Sequence, residues 1–312
     1  MHPKDVPSAG GPSVRCLKPH WRLLAFVLGP FNRRVSNSAP ARPPEVKEDA
    51  GDLVSTVEKL AVLFSREGPG KAIKEARRAF RMLRDRDRRE ATFWCRTQST
   101  SLNAIATSLD ATLWAEAKVV QRQTARLRRD RLAAARLHGH RFSDIGGGPG
   151  NLALLYFLVR LLRPRVVVET GVASGASSSV ILQALDFNEC GSLFSSDLAG
   201  VIPREFAGIC VDEHLRCRWH LYHDGDRVNI PRIVDRAKSI DLLHYDSAKD
   251  AEEVEWVIAE VAPAMNRFGV IVLDDIDRHS FMRDFVKYTD LSWFVFGSVG
   301  VIGLEEAVNQ AQ

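Results

Sequence analysis

Two kinds of hydrophobic spacing divide the chain. From Asp52 to about Leu137, apolar residues recur at helical intervals: Leu53, Val57, Leu60 and Phe64, then Ile73, Ala76, Phe80 and Leu83, then Leu102, Ile105, Leu109, Leu113, Ala117 and Val120. They predict three helices. The first is capped by Asp52 and stopped by Gly68-Pro69-Gly70, the second runs from Lys71 to roughly Glu90, and the third from Thr92 to about Leu137 with a break near Ser99 to Ser101. After the apolar segment Leu152 to Leu162 the spacing changes, and short apolar runs alternate with helical stretches. The runs predict strands at about 165–169, 192–197, 218–222, 240–245, 269–274, 292–297 and 299–304. Residues 1 to about 50 show neither period. They are rich in Pro, Gly, Ser and charge, as in Pro40-Ala41-Arg42-Pro43-Pro44, and read as tail and linker.

Strands alternating with helices predict an α/β fold with a Rossmann-like, doubly wound seven-stranded sheet. Ser298-Val299-Gly300 separates the last two strands by a short reversal, so one strand is expected antiparallel. The expected organisation is a tail at 1–50, a helical region at 51–141 and the α/β domain at 142–312. The 312 residues, 45% hydrophobic, suffice for one substantial core plus a smaller helical unit. Charge sharpens the division: up to Arg141 there are 28 Lys+Arg against 14 Asp+Glu, and beyond it 15 against 25. The basic half suggests a charge-matched interface, a homodimer through the N-terminal helices, or an anionic partner. Its tracts Arg77 to Arg89 and Arg122 to Arg136 contain Arg-Asp pairing and lack the interleaved aromatics that stack on bases, so a solvated helix face outweighs nucleic-acid binding.

Five cysteines (Cys16, Cys95, Cys190, Cys210, Cys217) contain no C-x-x-C pair, which fits reduced thiols and a cytoplasmic location. The apolar stretch Leu23 to Leu28 is far below the ~20 residues needed to cross a bilayer.

Chemistry concentrates at Arg165-Val166-Val167-Val168-Glu169-Thr170-Gly171-Val172-Ala173-Ser174-Gly175, where a β-branched strand ends in an acid and a tight loop leads into a helix. Such junctions make ligand sites at the carboxyl ends of parallel strands. A dinucleotide loop wants G-x-G-x-x-G, but the equivalent positions are Gly171, Ala173 and Ala176. Asp144-Ile145-Gly146-Gly147-Gly148-Pro149-Gly150 fits an acid followed by spaced glycines better, yet nothing before it makes a buried strand, so it reads as a loop before the next helix.

Glu169-x-Gly171-x-Ala173-x-Gly175 resembles the first motif of class I S-adenosylmethionine (SAM) dependent methyltransferases, with Ala173 in place of the middle glycine. The resemblance extends over roughly Gly146 to Glu305. It implies that Glu169, Gly171, Ala173, Ser174 and Gly175 hold the methionine end of SAM. It also implies that Asp197, ending Leu193-Phe194-Ser195-Ser196-Asp197, accepts from the ribose hydroxyls, and that Asp226, after Tyr222-His223-Asp224-Gly225, meets the adenine amino group.

Two further acidic strand ends say more. Asp246 follows the fourth strand, and Asp274-Asp275 ends the fifth, its neighbour in this fold, so three carboxylates converge. Unpaired, they would raise one another's pKa, and a hard divalent cation such as Mg²⁺ relieves that. This set and the spacing Asp246-Ser247-Ala248-Lys249 resemble the metal-dependent catechol and caffeoyl-CoA type O-methyltransferases and, more loosely, a bacterial branch acting on sugars and natural products. The resemblance implies a metal at Asp246, Asp274 and Asp275, Asp246 and Lys249 as catalytic residues, and a hydroxylated small molecule as acceptor. Asp275 stands where the family has asparagine. Two alternatives stay open: a metal-independent SAM methyltransferase with a histidine base, and a non-catalytic SAM-fold protein binding an anionic partner through its basic helices. His244 alternates inside a strand and reads as packed; His279 reads as a substrate contact or alternative base.

Overall fold

The structure is a computed structural model describing residues 86–137, 151–197, 204 and 206–311. The expected helices starting at Asp52 and Lys71 (up to residue 85), the tail and the Asp144–Gly150 stretch lie outside them.

The central strand β1 (Val166–Thr170) is the β-branched run singled out above, and Val167 and Val168 are fully buried. Only a strand covered on both faces tolerates such a run. The sheet has seven strands in the order β3-β2-β1-β4-β5-β7-β6. The others are β2 (Ser192–Ser196), β3 (Trp219–Tyr222), β4 (Ile240–Tyr245), β5 (Met265–Leu273), β6 (Trp293–Phe296) and β7 (Val299–Ile302). β7 pairs antiparallel with both β5 and β6, and the other pairings are parallel. The seven-stranded doubly wound sheet is therefore the one expected.

Two details differ. The reversal between β6 and β7 falls at Gly297-Ser298, where Gly297 has φ 57, rather than at Ser298 to Gly300. Gly300 instead sits inside β7, where a Cβ would lie 3.1 Å from Met282 Cε. Strand β5 also starts at Met265, four residues early, because its exposed Asn266 and Arg267 look like loop in sequence. A register shift against β4 between Ile240 and Leu242 accommodates them, and Asn266 Nδ2 donates to Asp241 Oδ1.

Helix α1 (86–98) runs through Glu90 and Thr92 without interruption, so the expected boundary there is absent. Ala91 and Cys95, both buried, keep one stripe in register across it, and no Gly or Pro interrupts. The expected break at Ser99 to Ser101 is present. There the chain bridges to the sheet: Thr100 N donates to Val295 O at 2.7 Å and Gly297 N to Ser99 Oγ at 3.0 Å, covering the outer edge of β6. Helix α2 (Leu102–Leu137) has a second break at Asp110, whose extended backbone (φ −159, ψ 100) and Oδ1 acceptor to Leu113 N (2.8 Å) restart the helix as an N-cap.

The apolar segment is helix α3 (Leu152–Leu162), with Leu152 to Val159 all buried. It packs between α2 and α4 (Ala176–Phe187), the helix following β1. Helices α5 (Asp226–Ala237) and α6 (Ala251–Val261) belong to a second hydrophobic cluster with Val168, Leu243 and Leu273. Helices α7 (Phe281–Phe285) and α8 (Leu304–Ala311) complete the chain. No described helix is long and apolar enough to cross a membrane.

Register decides where chemistry can occur. Thr170 is level with Ser196 and Tyr245, Ser196 with Tyr222, and Tyr245 with Leu273. The residues that follow β1, β2, β4 and β5 therefore emerge side by side: Gly171, Asp197, Asp246 and Asp274.

Candidate active site

Glu169 is fully buried. Its Oε2 accepts from Ser178 Oγ (2.6 Å) and Ser195 Oγ (2.8 Å), and its Oε1 lies 3.7 Å from His244 Nδ1. Its carboxylate thus ties β1, β2, β4 and α4 together beneath the loop. The loop above it needs left-handed backbone at three positions: Gly171 (φ 79), Ala173 (φ 48) and Gly175 (φ 77). Ala173 adopts the conformation of the glycine it replaces, at a strain of roughly 1–3 kcal/mol. A neighbouring segment steadies it, because Gly208 N donates to Ala173 O (3.0 Å) and Cys210 N to Ser174 O (2.9 Å). Arg128 of helix α2 donates Nε to Ser174 Oγ at 3.2 Å, so the basic helix touches the loop directly.

Asp197, 8% exposed, accepts on Oδ1 from Val172 N (3.2 Å) and Ala173 N (3.4 Å). Asp226 opens α5, and its Oδ1 accepts from Ser196 Oγ at 2.6 Å. Asn229 Nδ2 donates to the same hydroxyl at 3.0 Å. The two acids inferred for ribose and adenine are thus joined through Ser196 to one strand end.

Beyond Gly171 lies the acidic centre. Ligand atoms of His244, Asp246 and Asp274 all lie within 4.8 Å of one another. Burial, and then the neighbouring Asp246 carboxylate, raise the pKa of Asp274 above the usual carboxylate value. His244, 1% exposed, is pulled down by burial, but Glu169, Asp246 and Asp274 more than offset that and its pKa is raised. Asn151, 5% exposed, reaches both: its Nδ2 lies 3.4 Å from Asp274 Oδ2 and 3.5 Å from His244 Nε2. Asn151 passes in sequence for an ordinary residue before a helix, and His244 for a packed one. Only the meeting of α3 with β4 and β5 gives them a place here.

Asp275 stands apart from this group. Its backbone is left-handed (φ 53), and its carboxylate faces Lys249 Nζ at 3.1 Å. Lys249 also donates to Asp246 Oδ1 at 2.5 Å. Burial lowers the pKa of Lys249, but Asp246 and Asp275 outweigh it and hold the amine protonated. The expected lysine is at the site, as an ammonium shared by two carboxylates. His279 is 2% exposed, and burial pushes its pKa below the ordinary histidine value. Neither of its ring nitrogens has a hydrogen-bond partner among the described residues. The charges acting on it are those of Asp87, Asp250, Lys249 and Asp275. Helix α1 closes this side: Ser280 N donates to Asp87 Oδ2, Thr92 Oγ1 to Asp277 O and Arg283 to Glu90.

Residues 168–276 match the family model described as "Methyltransferase domain". No curated protein sequence matches the chain significantly. Among solved structures, the chain is similar to a methyltransferase from Geobacter sulfurreducens (18% identity, 56% of this chain and 86% of that one, TM-score 0.42). It is also similar to the O-methyltransferase TomG from Streptomyces achromogenes, involved in tomaymycin synthesis and in complex with SAM (17% identity, 59% and 89%, TM-score 0.42). A third is cofactor-bound Rv0187 from MTB (14% identity, 66% and 98%, TM-score 0.43). The match to a methyltransferase domain thus falls on the same residues, 168–276, that carry the acids after successive parallel strands and the left-handed loop after β1.

Proposed function

We propose that the protein transfers the methyl group of SAM to a hydroxyl oxygen of a small molecule, beside a divalent cation such as Mg²⁺. The observation that carries this reading is the pair of carboxylates, Asp246 and Asp274, at the ends of neighbouring strands next to the cofactor loop. The donor set fits a hard cation, since burial and the close Asp246 carboxylate raise the pKa of Asp274, and the ammonium beside Asp246 is shared with Asp275. Asp246 and Asp274 would hold it, with His244 as the third donor within reach. Asp275 joins only by releasing Lys249. Bound there, such an ion would lower the pKa of an acceptor hydroxyl.

The chain's own residues do the rest. The loop 171–175 and the start of α4 offer backbone N–H groups and a helix dipole to the cofactor carboxylate. Asp197 and Asp226 accept from ribose and adenine. Lys249 presents an ammonium that steadies an anionic acceptor oxygen, and it takes a proton only when the charges of Asp246 and Asp275 are otherwise neutralised. Orientation of acceptor and methyl donor supplies much of the remaining rate, up to ~7–11 kcal/mol. Helices α1 and α2, the described part of the 51–141 region, act in this reading as cover for the cleft.

The first test is calorimetric titration with S-adenosylhomocysteine, with Mg²⁺ and with EDTA, followed by labelled-methyl transfer to a panel of hydroxylated small molecules. Asp197→Ala should abolish cofactor binding; no binding by the native chain under either condition would sink the reading. Lys249→Ala should lower turnover about 10²–10⁴-fold while leaving S-adenosylhomocysteine affinity nearly unchanged. Unchanged turnover would remove Lys249 from the mechanism.

A second reading, metal-independent transfer with His279 as base, is favoured by that neutral, buried imidazole without a hydrogen-bond partner among the described residues. Full turnover in EDTA, lost in His279→Gln, would select it.

A further inference from the structure

The opposite end of the sheet carries a second concavity. Where the chain enters β1 and β2, Arg163, Arg165, Cys190, Gly191, Ser192 and Arg218 line a cavity of about 690 Å³. Three of its six lining residues are arginines, more cationic than the walls of ordinary ligand pockets. Arg163 ends α3 in left-handed backbone (φ 51), its N–H donating to Val159 O and its Nη2 to Asn188 O at 2.8 Å. These bonds hold Arg163 in the lining. Gly191 (φ 88) is part of the lining, and a Cβ there would come within 2.3 Å of Pro164 O. Arg218 donates Nη1 to Gly191 O at 3.3 Å.

Charge at this end is poorly balanced. Neither the Arg163 nor the Arg165 guanidinium pairs with a carboxylate among the described residues, and the nearby Asp241 Oδ2 accepts instead from Arg165 N (2.8 Å) and Val166 N (2.9 Å). Arg218 Nε is buried, stands 3.6 Å from Asp186 Oδ1, and has no hydrogen-bond partner among the described residues. Three like charges line one cavity, and among the described residues only Arg218 has a carboxylate beside its side chain, so an anion among them would be favoured. Guanidinium forks match tetrahedral oxyanions in geometry as well as charge. The Ser192 hydroxyl adds a donor in the same lining.

We propose that this cavity binds a phosphoryl group of a small phosphorylated molecule, at a site separate from the cofactor cleft. Val166 and Thr170, the two ends of β1, lie roughly 13 Å apart at about 3.3 Å per residue, so a ligand here leaves the SAM loop untouched.

The test is calorimetric titration of the full chain with inorganic phosphate and with pyrophosphate, in chloride buffer of constant ionic strength. One saturable site is expected, weakened at least about 10-fold in both Arg165→Gln and Arg163→Gln, with S-adenosylhomocysteine affinity unchanged. Absence of saturable binding by the native chain overturns the proposal. So does binding that survives both variants, which would place the anion on the basic helices. A single-stranded oligonucleotide that binds in an Arg165-dependent manner, where phosphate and pyrophosphate do not, overturns it in favour of a nucleic-acid surface.

Discussion

Gly171→Ala should lose both cofactor binding and stability. Gly171 has φ 79, and a Cβ there would come within 2.2 Å of Asp246 O and 2.8 Å of Asp246 C. Those are backbone atoms, and Asp246 N is itself held by Thr170 O (3.1 Å) and Thr170 Oγ1 (3.2 Å), so the collision cannot be relieved by a side chain swinging away. The backbone conformation alone costs roughly 1–3 kcal/mol for a residue with a Cβ. Ala173 supplies the internal comparison, since it already tolerates φ 48 in the same loop. The difference between the two positions is the closeness of the strand-four loop. The expected result is a melting temperature lowered by roughly 2–4 °C for each kcal/mol, together with S-adenosylhomocysteine affinity reduced at least about 10-fold. An unaltered melting curve and titration would mean that the loops after β1 and β4 do not approach as described. Ala173→Gly should leave the titration close to that of the native chain and, by relieving the left-handed strain at φ 48, should not lower the melting temperature.

Asp274→Asn should separate stability from activity. The carboxyl of Asp274 is raised above its ordinary value by burial and by Asp246. A carboxyl with a raised folded pKa favours the folded state below its unfolded pKa, and that contribution is lost as pH rises through the folded pKa. At neutral pH, then, the charge on Asp274 opposes folding. The amide keeps an oxygen to accept from Asp275 N, which stands 2.9 Å from Asp274 Oδ1, and removes the charge. In EDTA near neutral pH the variant should melt a few degrees above the native chain, and the advantage should vanish in acid, where the native carboxyl is protonated. With Mg²⁺ at 100 times its Kd, the native chain should gain about 2.7 kcal/mol and the variant little. Methyl transfer should fall in the variant. If Mg²⁺ stabilises both proteins equally, the cation does not sit at Asp274. If the variant is less stable in EDTA, the carboxylate is balanced by His244 and Lys249 alone, which would favour the metal-independent reading.

Much of the fold was legible in the chain because the signals are local. Seven apolar runs become seven strands, since a parallel sheet covered on both faces leaves no other use for Val166-Val167-Val168 or Leu242-Leu243. Acids at the ends of those runs mark the cleft for the same reason, because a carboxylate after a buried strand emerges at the sheet's edge. Asp110 was not legible: an aspartate inside a long helical period announces a cap only when the backbone around it leaves the helix. The unbroken α1 likewise depended on the buried positions of Ala91 and Cys95 rather than on the charges beside them.

The sequence by itself therefore determined the element order, the left-handed loop, and the acids Asp197, Asp226, Asp246 and Asp274 as residues of one sheet edge. Tertiary structure alone decided who their neighbours are. It buried Glu169 beneath the loop with Ser178 and Ser195, brought His244 and Asn151 to Asp274, turned Asp275 toward Lys249, laid Arg128 against Ser174, and gathered Arg163, Arg165 and Arg218 at the far end of the strands. The physical reason is that strand periodicity fixes which way a residue points along its own element. The distance between charges on different elements, and hence their protonation and chemistry, is set by sheet register and helix packing.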